Sequence, residues 1–269
     1  MNCIFCKKTS ANSKSIEHIL PESLGNKEHY LQKGIVCDDC NNYFASKVEK
    51  PVLENPYFKS VRSRNFITSK KRRLVPDKVL FPHKEGGWAD VCFDKNGFIL
   101  EQKDKHIIDL ISSGKLNRLI IPIIDKPAEN DYEVSRFLAK VGLEFLAYKI
   151  KGDSYWIDEL VSNEELNPIR NYARFGIGKF WKYSQRRIYG EEARFIDPIH
   201  HPEPYEILHE FDFLYTQEGI MYFIIVIMGM EFAINMAEPE TEFYEKWLQE
   251  NNGISPIRRF TERMVIDKP

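Results

Sequence analysis

Between Asp131 and Lys151, apolar residues return at Val134, Phe137, Leu138, Val141, Phe145 and Leu146. That three-and-four spacing keeps them on one side of a helix, and it predicts the clearest helix in the chain. A second helix is predicted from its punctuation: Asn167 as cap, Pro168 at the first position, Ile169 to Phe175 as body and Gly176 as stop. Lys105 to Ser113 reads as a short helix stopped by Gly114. Elsewhere the period falls to two. WADVCF (88 to 93) and FILE (98 to 101) flank Asp94-Lys95-Asn96-Gly97, and an Asn-Gly pair is a strong hairpin signal. Arg118 to Ile124 reads as a buried strand, and Tyr205 to Thr216 and Ile220 to Met236 read as two long neighbouring strands around Gln217 to Gly219. The most apolar run, Met221 to Met230, is far shorter than the roughly 20 residues a membrane helix needs. Its β-branched and aromatic content makes it a buried strand instead.

The first quarter of the chain is patterned differently. Ser15 to Leu20 predicts a short strand and Pro21 to Asn26 a turn or loop. A helix follows, with Asp38 and Asp39 at its positive end, Lys47 and Lys50 near its negative end, and a stripe of Cys40, Tyr43, Phe44 and Val48. With 269 residues and 43% hydrophobic side chains the chain can bury a sizeable core, and we expect a small domain followed by a larger one. The small net charge of −2 conceals an asymmetry: residues 1 to 75 carry 14 Lys or Arg against 7 Asp or Glu, and the remainder 24 against 33. A polyanion would therefore meet the amino-terminal quarter. Lys59 to Leu74 concentrates seven basic residues, including the run Lys70, Lys71, Arg72 and Arg73, which reads either as a nucleic-acid contact or as a solvated linker. A second basic cluster, Arg170, Arg174, Lys179, Lys182, Arg186 and Arg187, is interleaved with aromatics. There the preferred reading is an aromatic core under a solvated charged face, and His200-His201 reads as a solvated loop pair. No secretory leader is evident, so a cytoplasmic setting without a membrane is expected.

Four of the five cysteines form two Cys-x-x-Cys pairs, Cys3 with Cys6 and Cys37 with Cys40. Each such knuckle supplies two thiolates from one tight turn, so the two together would complete the tetrahedral shell of a structural Zn²⁺. In a chain without a secretion signal the spacing points to metal rather than disulfide. The segment between the pairs has too few large apolar residues to hold itself together, so metal binding would supply much of its folding energy. Cys92, in the alternating run WADVCF, reads as a buried apolar residue.

Between the knuckles lies Glu17-His18-Ile19-Leu20-Pro21, then Leu24-Gly25, and Asn41 follows the last cysteine directly. This order resembles the HNH nuclease family with its ββα-metal fold, in the branch with paired Cys-x-x-Cys knuckles and a Glu-His-Ile-x-Pro core. The resemblance covers about residues 1 to 50 and implies roles. His18 would be the general base, and Glu17 and Asn41 would ligate a catalytic cation, whose oxygen donors suit Mg²⁺ or Mn²⁺ better than a second Zn²⁺. Many members place an Asn shortly before the second knuckle to orient the base. Here that stretch is HYLQKGIVC, so the orienting role is unassigned.

The expectation is thus an α+β protein: a zinc-stapled ββα-metal HNH domain over 1–58, a basic connector over 59–75, and an α+β domain over 76–269 for target recognition, regulation or dimerisation. The function expected is metal-dependent DNA hydrolysis, in the setting of bacterial restriction or antiphage defence, with a homodimer or a defence-system partner protein as further company. An RNA-cleaving or toxin-like nuclease, or a catalytically silent zinc-dependent nucleic-acid-binding protein, are the alternatives.

Overall fold

The computed structural model describes residues 1–94, 96–197, 201–258 and, for the backbone alone, 264–266; His200 lies outside the described residues. In chain order the helices are α1 (Asp38–Phe44), α2 (Lys50–Glu54), α3 (Pro56–Arg64), α4 (Lys105–Ser112), α5 (Tyr132–Lys149), α6 (Ser154–Ser162), α7 (Asn167–Phe175) and α8 (Glu242–Glu250). The strands are β1 (Asp77–Leu80), β2 (Trp88–Asp94), β3 (Gly97–Glu101), β4 (Tyr183–Arg187), β5 (Arg194–Asp197), β6 (His201–Tyr205), β7 (His209–Tyr215), β8 (Met221–Ile227), β9 (Met230–Asn235) and β10 (Met264–Ile266). The chain is α+β, with an amino-terminal cysteine-bearing domain followed by a larger α+β region. Among the described residues no helix is long and apolar enough to cross a membrane.

The residues divide into two compact units. One comprises Met1–Leu20, Glu28–Lys50 and Ala128–Pro269; the other comprises Pro21–Lys27 and Pro51–Pro127. The boundaries expected at 58 and 75 do not coincide with them. Asn55 accepts the amide of Tyr57 and Pro56 takes the first helical position, so α3 starts just before residue 58, buries Phe58, and runs on to bury Val61 in what was expected to be connector. Residues 128 onward share a unit with the first knuckle, to which Arg170 of α7 donates at Ile4 O.

The core of the first unit is an antiparallel sheet in the order β4-β9-β8-β7. Every residue of β9 and all but the first of β8 are buried, which requires cover on both faces. On one face α5 supplies it: Phe145 meets Phe211, Phe213 and Phe223, and Gly142 lets the helix sit so close that an added Cβ would lie 2.8 Å from Met236 Sδ. On the other, Tyr244 and Trp247 of α8 pack with Leu214, Tyr222, Ile224 and Ala233. The run read as one strand from Ile220 to Met236 is two. Met228 and Gly229 both have positive φ, 47° and 81°, and make the tight turn joining β8 to β9. No polar residue punctuates Met-Gly-Met, so the pattern hid the turn.

In the second unit β1, β2 and β3 form an antiparallel sheet, and β2 and β3 pair as the expected hairpin with Asp94 opposite Gly97. Val79, Phe81, Ala89 and Val91 pack against Ile107, Leu110 and Leu116. The buried strand expected at 118–124 is absent. Ile120 alone bridges to Leu80, while Ile123 is 71% exposed, because Pro122 cannot donate to a ladder. The helix boundaries fared better. Asp131 caps α5 through the amides of Glu133 and Val134, and Gly176 closes α7 in the left-handed region at φ 68°. Helix α6, capped by Asp153, was not foreseen, since Tyr155 and Trp156 are exposed and blur its stripe.

Candidate active site

The two knuckles meet. Cys37 caps α1, so Cys40 falls in its first turn, and the other knuckle closes on itself through Lys7 N to Cys3 O at 2.9 Å, with Lys7 at φ 58°. All four Sγ atoms lie within 4.8 Å of one another, and those of Cys6 and Cys37 are 3.6 Å apart. A tetrahedron with Zn–S bonds of about 2.3 Å has edges of about 3.8 Å, so modest closure around an ion would complete it. Three of the four thiols are buried. A hydrogen bond from the Cys40 thiol holds Cys3 down at about 5 against its burial, and Cys40 itself is pushed far up. Burial raises Cys37 to about 11. The four cysteines could hold a structural metal.

Helix α7 buttresses this cluster. Arg174 Nε lies 3.2 Å from Cys40 Sγ, with the guanidinium 3.7 Å over the Tyr43 ring. Arg170 is 1% exposed and donates to Ile4 O at 2.6 Å, to Leu160 O, to Asn163 O and to Asn167 Oδ1. The cluster read as a solvated charged face therefore includes two arginines committed to the knuckles, and Arg186 pairs with buried Glu231 at 2.5 Å.

The strand expected over 15–20 is reduced to a short pairing of 17–19 with 29–31. Leu31 N donates to Glu17 O at 2.9 Å, Ile19 N to His29 O at 3.1 Å, and His18 bridges to Tyr30. Alternation along it turns Glu17 and Ile19 inward and leaves His18 half-buried. Helix α1 grips the same segment. The Asp38 carboxylate accepts Ser15 N at 2.9 Å and Lys14 N at 3.0 Å, bonds that with the Ser15 hydroxyl hold it below its usual range, and Asn41 Nδ2 donates to Ile16 O at 3.3 Å. Asn41 is thereby set beside the acid-histidine pair with Oδ1 as the end that could ligate.

Sequence reasoning missed what Glu17 faces. Its carboxylate, 5% exposed, lies 2.7 Å from Nζ of Lys140, a fully buried residue at the middle of α5. The same Nζ is 2.6 Å from Glu49 Oε1, 3.0 Å from Glu144 Oε2 and 3.3 Å from His18 O. Burial works against the ammonium, but Glu144, Glu17 and Glu49 outweigh it and keep Lys140 charged. Burial raises the Glu144 and Glu17 carboxyls, Lys140 offsetting only part. A Lys-x-x-x-Glu pair in the middle of the best-patterned helix was the signal available. The thiols thus fit zinc, whereas Glu17, expected beside Asn41 as a ligand of a hard cation, has its carboxylate 2.7 Å from an ammonium, which leaves Asn41 as the oxygen donor for such an ion. Lys70 to Arg73 belong to the second unit, all four exposed, on a turn closed by Ser69 and Arg73.

No curated protein and no solved structure matches the chain. A family model does: residues 3–56 match that of the HNH endonucleases, a span that begins at the first knuckle cysteine and runs past the last, Asn41 included. With its four cysteines converging in space, the chain carries an HNH endonuclease domain in its amino-terminal segment.

Proposed function

We propose that the protein is a metal-dependent HNH endonuclease that hydrolyses DNA phosphodiester bonds, acting in bacterial restriction or antiphage defence, with Zn²⁺ between the knuckles. The observation that carries this reading is the tether of helix α1 to the segment just before His18, made by Asp38 to Ser15 and by Asn41 to Ile16. Helix α1, tied by Cys37 and Cys40 to the first knuckle, holds the strand bearing His18 through Asp38 and Asn41. His18 is half-buried, so its ring has both a fixed backbone and access to solvent. It takes the proton of the attacking water, which makes that water a competent nucleophile near neutral pH. Asn41 offers a neutral oxygen donor, and a divalent cation such as Mg²⁺ or Mn²⁺, when bound, would stabilise charge building on the phosphate and the leaving oxygen. Lys70, Lys71, Arg72 and Arg73 are free of burial and suit phosphate contact. A second reading, a zinc-dependent nucleic-acid-binding protein without catalysis, draws support from the occupied Glu17 carboxylate.

Supercoiled plasmid, linear DNA and single-stranded RNA, each incubated with Mg²⁺, with Mn²⁺ or with EDTA, separate these readings. Cation-dependent cutting of DNA that His18→Ala loses by at least a hundredfold is expected. Cutting of RNA alone would move the substrate class. Salt-sensitive binding without cutting would establish the silent reading.

A further inference from the structure

We propose that Lys140 is a positioning residue for the acid-histidine pair, and that Glu17 serves as its buried counter-ion rather than as a ligand of the catalytic cation; the inference rests on the nuclease reading above. An ammonium has three hydrogens. Around Nζ stand four acceptors, Glu49 Oε1 at 2.6 Å, Glu17 Oε1 at 2.7 Å, Glu144 Oε2 at 3.0 Å and the carbonyl of His18 at 3.3 Å. Two of the four belong to adjacent residues, the acid and the histidine themselves, although α5 lies more than a hundred positions along the chain.

The geometry gives that contact a direction. Residues 17–19 are held along one edge by 29–31, through Glu17 O and the amide of Ile19. Those bonds fix the strand in its plane. Lys140 takes the remaining carbonyl between them, that of His18, and also the Glu17 side chain on the inner face. With its own carbonyl held from within and its neighbours paired along the edge, His18 has little backbone freedom left, and alternation then sends its imidazole outward. This is the orienting role for which the stretch HYLQKGIVC has no asparagine.

The choice of residue supports the assignment. Position 140 lies in the interior of α5 and is fully buried, so a lysine there has to desolvate its ammonium. A buried charge needs several partners, and here they are recruited from three separate segments, at Glu17, Glu49 and Glu144. The same contact decides what Glu17 cannot do. A divalent cation on its carboxylate would sit close to a fixed ammonium inside a dry site, where like charges repel strongly. Asn41, partly exposed and paired only through Nδ2 in its bond to Ile16, carries no such conflict.

The test uses the zinc-loaded full chain, with Lys140→Met, Glu17→Gln, the double variant and Asn41→Ala. Mn²⁺ affinity is read by electron paramagnetic resonance, and the His18 ring by its nitrogen resonances, assigned by their loss in His18→Ala. Glu17→Gln should bind Mn²⁺ within twofold of the parent, while Asn41→Ala weakens it at least tenfold. The His18 resonances should move in Lys140→Met and in the double variant, whose balanced charge protects the fold. A tenfold loss of Mn²⁺ affinity in a folded Glu17→Gln protein, or His18 resonances unmoved in the double variant, would overturn the proposal. If the parent itself binds no Mn²⁺, the cation-dependent nuclease reading fails, and the His18 resonances alone decide whether Lys140 positions that ring.

Discussion

Two acidic clusters sit in the same compact unit, and they obtain their positive charge from different sources. Around the knuckles four thiols converge with Arg174 against Cys40 and Arg170 against Ile4, and the charge that would bind all four together would come from solution. Around Glu17 three carboxylates converge on Lys140, so the chain brings its own cation. With a metal held there, the first arrangement would tie folding to metal supply. The second makes it depend on a helix that is itself packed on the central sheet, and so couples the acid-histidine strand to residues far away. One segment of about fifty residues is thereby held twice, by a metal centre that could exist in isolation and by a charge that could not.

The largest effect should follow from removing the external charge. Metal binding to four thiolates is worth about 10 kcal/mol or more in small zinc domains, as much as the whole stability of many domains. Cys37→Ser, or a strong chelator acting on the parent, should release zinc and abolish protection of the α1 amides against hydrogen exchange, while β8 and β9 stay protected. Unchanged zinc content and unchanged α1 protection in Cys37→Ser would break the comparison at its first term.

Removing the internal charge should cost less but reach further. Lys140→Met leaves Glu17, Glu49 and Glu144 around an apolar side chain, and stranding one side of a buried pair typically costs about 3–5 kcal/mol. Because Lys140 is anchored on α5, urea unfolding should show the loss in the sheet as well as in the amino-terminal segment. Adding Glu17→Gln should recover part of it. Strict additivity of the two substitutions would mean that Lys140 and Glu17 do not interact, which a contact of 2.7 Å makes untenable.

The contrast also explains which features the sequence disclosed. Cys3, Cys6, Cys37 and Cys40 were legible because each pair is local and its spacing is a property of one turn. The order of a short motif singled out His18 and Asn41, whose roles belong to the proposal, while periodicity and caps disclosed α5 and α7. Lys140 was not, because its partners lie at positions 17, 49 and 144, and no window of sequence holds them together. Arg170 and Arg174 were read as part of a surface for the same reason: their acceptors are Ile4 O and Cys40 Sγ, on a segment far upstream. The β8–β9 turn escaped because Met228 adopts a positive φ that its residue type does not advertise. In this chain, patterns within about twenty residues give the elements and the metal centre, while the charges that join the elements are fixed by tertiary contact alone.

The smallest of the expected effects sharpens the comparison most finely. Arg174 lies where the two sources of charge meet: a protein cation touching a ligand set that wants a metal. Its Nε–H reaches Cys40 Sγ at 3.2 Å, and its plane covers Tyr43, so Arg174→Ala should cost about 1–2 kcal/mol in folding. The hydrogen bond withdraws charge from one sulfur and fixes its direction, and loss of such outer contacts commonly weakens metal binding about tenfold or more. Competition with a chromophoric chelator should therefore show a lower zinc affinity in Arg174→Ala, with the Lys140 cluster undisturbed and the His18 resonances in place. If instead zinc affinity holds and the His18 resonances shift, Arg174 acts through Tyr43, which also accepts Arg136 Nη2 at 2.9 Å, and the two clusters are one connected system rather than two neighbours.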